Sequence, residues 1–289
     1  MIRIGRLGGV LFIMMLVTGV ALGFAGALHP AADSLSLLRM PLAALCLSLA
    51  LLPLRKSWRV LLLGTAAAGL LTTLPQWLYG RTDGDLVIYS KNLWFANDTL
   101  PALAQDIRAS GAEVVALQEV SDRTRPILAL LSADFPHQHL CRFSGWSGVA
   151  VLSRHPITDR RCSDRRAVAA AQVDREGEPV WIAAVHLPWP YPYGNAPAAR
   201  SGAAVLAELT GPVVMAGDFN IFPWAHSVRQ LEAAADLQVA GPIRPTYRLR
   251  GMPLLLDHVH APGGGRVETR PLLGSDHLGL LARVSLRAP

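Results

Sequence analysis

Charge is scarce in this chain. Of its 289 residues 17% are Asp, Glu, Lys or Arg, against 51% hydrophobic, and mean hydropathy is +0.31. That balance excludes an ordinary soluble domain from end to end. Cysteine is rarer still: three residues, too few and too scattered for the closely spaced ligands of a zinc centre. No repeat recurs at a fixed period and no segment is of low complexity, which sets aside solenoids and biased tails. Beyond residue 84 net charge is nearly absent too, with 20 Lys and Arg against 19 Asp and Glu, whereas residues 1–84 carry seven against two. The overall +6 therefore belongs mainly to the front of the chain and not to a polyanion-binding globule. The local run Arg160, Arg161, Arg165 and Arg166 reads as a solvated loop.

Apolar residues concentrate at the front. Residues 7–28 hold no charge and are long enough to span a bilayer. A second run covers about 37–54, interrupted by Arg39 and Pro41, and a third covers 60–78 with Pro75 near its end. The second is close to the lower length limit. A cleaved signal peptide accounts for the first run but not for the two that follow. The expectation is an anchor of three transmembrane helices over residues 1–80. Arg3 and Arg6 precede the first, while Arg55, Lys56 and Arg59 fill the turn after the second; residues 29–38 hold Asp33 and no Lys or Arg. By the positive-inside rule the N-terminus is cytoplasmic and everything after Tyr79 lies on the far side. In a bacterium this is an inner-membrane protein with a periplasmic globule, and residues 80–84 read as the hinge. Cys141 and Cys162 are there candidates for a disulfide, with two free buried thiols as the alternative; Cys46 is a packing or lipid-facing residue.

The globule, residues 85–289, is organised around Gly217-Asp218-Phe219-Asn220-Ile221, which follows an apolar strand over 212–216. An acid and an amide two positions apart at a strand end face one crevice, and Gly217 lets backbone and ligand come close. Alone, Asp-x-Asn is an Asx turn closing a strand. Other strand ends carry matching chemistry. Residues 85–90 deliver Asn92, 114–117 lead to Gln118-Glu119, 180–185 end on His186, 254–256 end on Asp257, and Asp276-His277 precede a last strand over 278–286. Strands are also expected over 137–143, 148–153 and 167–173, and helices over 98–110, 121–131, 196–209 and 224–234. Strands outnumber helices and several helices lie between strands, so the reading is one α/β (α+β) core of two packed sheets.

Acids, amides and imidazoles at successive strand ends line a crevice with hard oxygen ligands and proton carriers. Such a set suits Mg²⁺ or Mn²⁺ ahead of zinc. The reaction that needs a hard cation, an activated water and a cationic histidine is phosphoryl-ester hydrolysis. Taken in order, Asn92, Leu117-Gln118-Glu119, Ser147-Gly148-Val149-Ala150, His186-Leu187, Gly217-Asp218-Phe219-Asn220, Asp257-His258-Val259 and Ser275-Asp276-His277 resemble the motifs of the endonuclease/exonuclease/phosphatase superfamily, over about residues 85–286. That superfamily includes pancreatic deoxyribonuclease, abasic-site endonucleases, neutral sphingomyelinases and inositol polyphosphate 5-phosphatases. The resemblance implies a four-layer sandwich of two packed β-sheets flanked by helices, with the site at one rim. It implies Glu119 as principal metal ligand, with Asn92 and Asp276 assisting on metal or phosphate. Asp218 would orient and deprotonate the attacking water, aided by Asn220; His186 and His277 would bind the scissile phosphate, and Asp257 would hold His277 protonated. That pairing also has independent sense, because a carboxylate partner favours imidazolium near neutral pH. Water attacks in line, with no covalent intermediate. Two features depart from the pattern: Leu93-Trp94 stand where some nucleases of the family carry a carboxylate, and the globule is too compact for the long insertions with which nuclease members grip a duplex.

Substrate is read from the flanks. Residues 188–193 after His186 and 222–224 after Asn220 set Trp189, Tyr191 and Trp224 beside the crevice, to stack bases, sit at a lipid headgroup, or pack as a proline-stiffened lid. With an anchor and a near-neutral globule, the expected activity is a divalent-metal-dependent phosphodiesterase acting on a phospholipid or lipid-linked phosphate at the membrane. The alternatives are a periplasmic endo- or exonuclease on DNA or RNA and, in another class, a catalytically inactive membrane-tethered binding module. A transport role finds no ion pathway in spans with little polar content beyond Arg39, Ser48 and a few threonines.

Overall fold

The computed structural model describes residues 2–78 and 84–288. The apolar front folds as α1 (Ile2–Leu22), α2 (Pro30–Leu35), α3 (Arg39–Ala50), α4 (Lys56–Leu71) and α5 (Pro75–Leu78). Helices α1, α3 and α4 pack through Ile13, Leu16, Cys46, Ala50, Leu62 and Ala66. Gly69 of α4 lies so near Ala43 of α3 that an added Cβ would meet the alanine's Cβ at 2.5 Å; small residues let apolar helices approach closely. The outward faces are apolar as well, with Leu7, Leu11, Met15, Leu51, Val60 and Leu71 exposed.

The expectation of three full spans is corrected by these helices. Among the described residues one helical stretch, Pro30–Ala50, is long and apolar enough to cross a membrane, whereas the apolar part of α1 is Leu7–Leu22 and α4 has 16 residues. The first run stops short of residue 28 because a 3₁₀ turn, Ala25–Ala27, follows Gly23, and the third stops at Leu71 and restarts at Pro75. Residues 29–38, expected as an open connection, are largely helical: His29 Nδ1 accepts the Ala31 N–H at 3.1 Å, and Pro30 occupies the first turn, where its missing N–H costs nothing. Apart from Gly84, the expected hinge at 80–84 lies outside the described residues.

From residue 86 the chain alternates strands and helices: β1 (Leu86–Asn92), α6 (Leu100–Ala109), β2 (Val114–Val120), α7 (Pro126–Leu130), β3 (His137–Arg142), β4 (Gly148–Ser153), β5 (Ile157–Cys162), β6 (Val168–Arg175), β7 (Glu178–His186), α8 (Asn195–Ala207), β8 (Val213–Asp218) and α9 (His226–Ala234). Then come β9 (Gln238–Val239), the hairpin β10 (Tyr247–Leu249) and β11 (Met252–Leu254), β12 (Asp257–Ala261), β13 (Gly265–Arg270) and β14 (Gly279–Val284). One six-stranded sheet runs β13-β14-β1-β2-β4-β3 and the other β5-β6-β7-β8-β12-β9. Ile88, Ala116 and Val151 of the first sheet meet Ala171, Ile182, Val214 and Val259 of the second in the central core. Outside, Leu103 and Ile107 of α6 cover Tyr89, Val115 and Leu117, while Leu206 of α8 and Leu231 of α9 cover Ala183, Val185 and Met215. Helix, sheet, sheet and helix make four layers, and central strands buried on both faces explain why they read as unbroken apolar runs.

Parallel pairing of β1 with β2 and of β7 with β8 brings four strand C-termini to one rim. Asp257 corrects the sequence reading: it opens β12 and does not close a strand. Because β12 is antiparallel to β8, its first residue still stands opposite Asp218, the last of β8. The arginine run is a loop only in part, at Arg165 and Arg166 before β6. Arg160 and Arg161 lie in edge strand β5, whose exposed side chains blunt the sheet edge, and the Cys141–Cys162 disulfide ties that edge to β3 of the other sheet across a Cα–Cα distance of 5.8 Å.

Candidate active site

The rim gathers its side chains strand by strand. In register across the second sheet, His186 of β7 neighbours Asp218 of β8, which neighbours Asp257 of β12. Gly217 makes that register possible: at φ +155° it lies where an added Cβ would be 2.0 Å from the Val185 carbonyl oxygen. From the first sheet come Asn92 and Glu119, the latter at φ +55° where β2 shifts register against β4 between Gln118 and Val120. A bulge re-aims a side chain at such a point. Asn220 also adopts a positive φ, +53°, and its Nδ2 donates to the Leu187 carbonyl at 2.9 Å, tying the turn after β8 to the residue that follows β7.

Asn92 links the sheets. Its Nδ2 donates to Asp218 Oδ2 at 2.9 Å and to Glu119 Oε1 at 3.1 Å, while its Oδ1 accepts the Trp94 N–H at 2.9 Å. Reversing the amide would set its oxygen against two carboxylates, so the NH₂ group faces the acids and Asn92 bridges them. Asp218 Oδ1 accepts the Asn220 N–H at 2.8 Å. Its Oδ2 lies 3.8 Å from His186 Nε2 and 3.9 Å from His277 Nε2. Asp257 Oδ2 holds His277 Nδ1 at 2.8 Å, so the ring's other nitrogen points towards Asp218. Ser275 fixes the loop below: its Oγ donates to the Asn92 carbonyl at 2.7 Å and accepts the His277 N–H at 3.0 Å.

Burial and charge set the protonation states. Burial pushes the Asp218 carboxyl up, against the pull of His277. Burial alone would lower His277, but Asp257 and Asp218 more than offset it and raise the imidazole above its ordinary value. His186 is held well below its ordinary value by burial, with Arg166 and His277 adding to the effect, so it is neutral. Its Nδ1 has no partner and its Nε2 faces carboxylates, which assigns the proton to Nε2. Burial also raises Glu119, and Asp276 adds to that rise.

A cleft of about 280 Å³ opens over this rim. Glu119, His186, Asp218, Asn220, Asp276 and His277 line its floor, and Trp94, Phe95, Trp146, Trp189 and Tyr247 its walls, with Arg166 among them. Of the aromatic residues expected beside it, Trp189 is present. Tyr191 is not: 53% exposed, it stands edge-on to His29 at 5.5 Å. Trp224 is a correction. It is buried to 1% and its Nε1 donates to the Ser36 carbonyl at 2.8 Å, away from the cleft. Glu119 and Asp276 offer hard oxygen donors, and among the described residues neither forms an ion pair with Lys or Arg within 4.0 Å, a donor set that fits a hard divalent cation.

The sequence profile of the endonuclease/exonuclease/phosphatase family matches residues 89–277. The chain belongs to that family. No curated protein sequence matches. Among solved structures, an endonuclease/exonuclease/phosphatase from Beutenbergia cavernae DSM 12333 is similar at 22% identity and TM-score 0.53, covering 70% of this chain and 72% of that one. A beta toxin variant from Staphylococcus aureus with bound magnesium ions is similar at 14% identity and TM-score 0.50, covering 70% of this chain and 100% of that one. Truncated Caenorhabditis elegans TDP2 is similar at 15% and 0.53, covering 68% and 96%. At these identities the likeness is one of fold, and the family is one of phosphoester hydrolases.

Two residues of this family member escaped the sequence reading. Arg166 sits just before β6, which starts where antiparallel β7 ends, so the guanidinium reaches the cleft beside His186; it donates to Ser147 Oγ at 3.2 Å and lies 4.8 Å from the Trp146 ring centroid. Lys91 is fully buried and its Nζ donates to the carbonyls of Pro271, Leu272 and His277 at 3.1, 2.8 and 2.6 Å, tying β1 to the loop that carries Asp276 and His277. A lysine inside a strand buried on both faces is the signal that marks it.

Proposed function

We propose that this protein is a divalent-metal-dependent phosphodiesterase, held in a bacterial inner membrane by α1, α3 and α4 with its sandwich on the periplasmic side, and acting on a phospholipid or lipid-linked phosphate. The observation that carries the reading is the Asp257–His277 pair aimed at Asp218 across the rim. Asp218, raised by burial, is a stronger base than a solvated aspartate and takes the proton of the attacking water. Asn92 and Asn220 hold it in place. His277, kept protonated by Asp257, donates Nε2–H to a phosphoryl oxygen; neutral His186 donates from its own Nε2, and Arg166 offers a third, cationic donor. Glu119 and Asp276 would hold Mg²⁺ or Mn²⁺, which when bound supplies Lewis-acid stabilisation of phosphoryl charge. The outward apolar faces of the helical front and the near-neutral globule support the membrane substrate, and the disulfide suits an oxidising compartment.

Hydrolysis of bis-p-nitrophenyl phosphate with Mg²⁺ or Mn²⁺ is expected, and is lost with EDTA and in His277→Ala; activity that survives either overturns the site as drawn. Alkaline phosphatase fused after residue 84 should be active, and an inactive fusion puts the globule in the cytoplasm. The Arg166–Trp146 pair, a cation over an aromatic face, favours nucleic acid as a second reading. Faster turnover of single-stranded DNA or RNA than of phospholipid vesicles selects it.

A further inference from the structure

Helix α9 begins without a capping side chain of its own, because Ala225 precedes it. Asp33, from the helical front 193 positions earlier, completes that cap: its Oδ1 accepts the His226 N–H at 2.6 Å, and its Oδ2 accepts the Ser227 N–H at 3.0 Å and the Ser227 hydroxyl. Asp33 is 3% exposed, and among the described residues no Lys or Arg pairs with it, so the amide donors and the helix N-terminus answer its charge. Gly26 backs the contact, where an added Cβ would meet His226 Cβ at 2.7 Å. Nearby, Ser36 accepts from Trp224, Leu37 and Trp77 pack into the cluster of Phe222, Trp224 and Leu256, and the Gln76 carbonyl accepts the Ile243 N–H at 3.2 Å. His29 stands against Tyr191.

These contacts converge on the backs of three loops leading from the cleft: residues 188–193 after His186, 219–225 after Asp218, and 254–256 before Asp257. We propose that residues 29–37 are a brace built into the catalytic unit, with Asp33 as the positioning residue that locks it, so that the anchor holds the site's geometry and does not merely tether it. The inference rests on the reading of the cleft as a phosphodiesterase site. The brace reaches the chemistry through loop placement, where displacements of an ångström cost about a hundredfold in rate.

The test uses the full chain in lipid nanodiscs, with hydrogen–deuterium exchange and steady-state hydrolysis of bis-p-nitrophenyl phosphate. In Asp33→Ala, exchange should quicken in residues 188–193 and 219–230 while β1, β2 and β4 stay protected, and kcat should fall about tenfold or more with KM within about twofold. Adding Ser227→Ala to that variant should change little further, since the two share one contact. A second variant, His29→Ala, lies at the exposed edge and should quicken 188–193 alone, which keeps the proposal testable should Asp33→Ala fail to fold. Unchanged exchange in those loops, or exchange that quickens evenly through both sheets, overturns the brace. A wild-type protein without hydrolytic activity overturns the function instead, and the exchange data still decide the brace.

Discussion

Asn92 donates one amide group to two acids from different sheets, so Asp218 and Glu119 are held together against their mutual repulsion. Asn92→Ala should lower kcat by about two orders of magnitude, as loss of a preorganised polar contact in such sites does; parallel thermal denaturation checks that the fold persists. His277 gives the pH dependence. Its imidazole must stay protonated, and Asp257 and Asp218 raise its pKa, so activity is retained up to that raised value and lost as pH climbs through it. Asp257→Asn removes part of the support, and the alkaline fall in kcat should move to lower pH; a limb that stays put belongs to another group. His258 controls stability in acid. Burial, with His260 adding to it, holds its imidazole down at about 3, while Nε2 donates to the Leu255 carbonyl and the ring stacks on Phe219 at 4.9 Å. The unfolded chain takes up this proton near pH ~6.5, so stability is full above that value and declines below it by up to about 1.4 kcal/mol per pH unit until the folded pKa is reached. His258→Phe should flatten that acid limb in a plot of Tm against pH.

At the level of elements, β7 and β8 come close together at Gly217, with the Val185 oxygen 2.0 Å from any added Cβ. Gly217→Ala should therefore cost on the order of 3 kcal/mol or more, read as a lowered Tm, and should abolish activity with it. Strands such as β1, β2 and β8 were legible because burial on both faces leaves an unbroken apolar run bounded by turn residues. β5 was not, since its charged, outward side chains follow the pattern of a solvated loop, and only pairing with β6 makes it a strand. The site's acids and histidines were visible as polar residues beside apolar strands. Arg166, Lys91 and the true place of Trp224 depend on which strand or helix packs alongside, and no local pattern carries that. Residues 29–38 look like a connection until their partner, α9, is present.

For the molecule as a whole, the Cys141–Cys162 bond clamps facing edges of the two sheets, closing a loop with a sequence separation of 21. Replacing both cysteines by serine should cost about 3 kcal/mol, measured by denaturation under non-reducing conditions. The contacts of residues 29–37 and of Gln76 and Trp77 with the sandwich carry a further consequence. Both ends of the intervening stretch rest on the same body, and no bilayer can lie between surfaces that touch. Between those ends the chain can traverse a membrane only in pairs, twice or not at all. Parity thus forbids a lone crossing there.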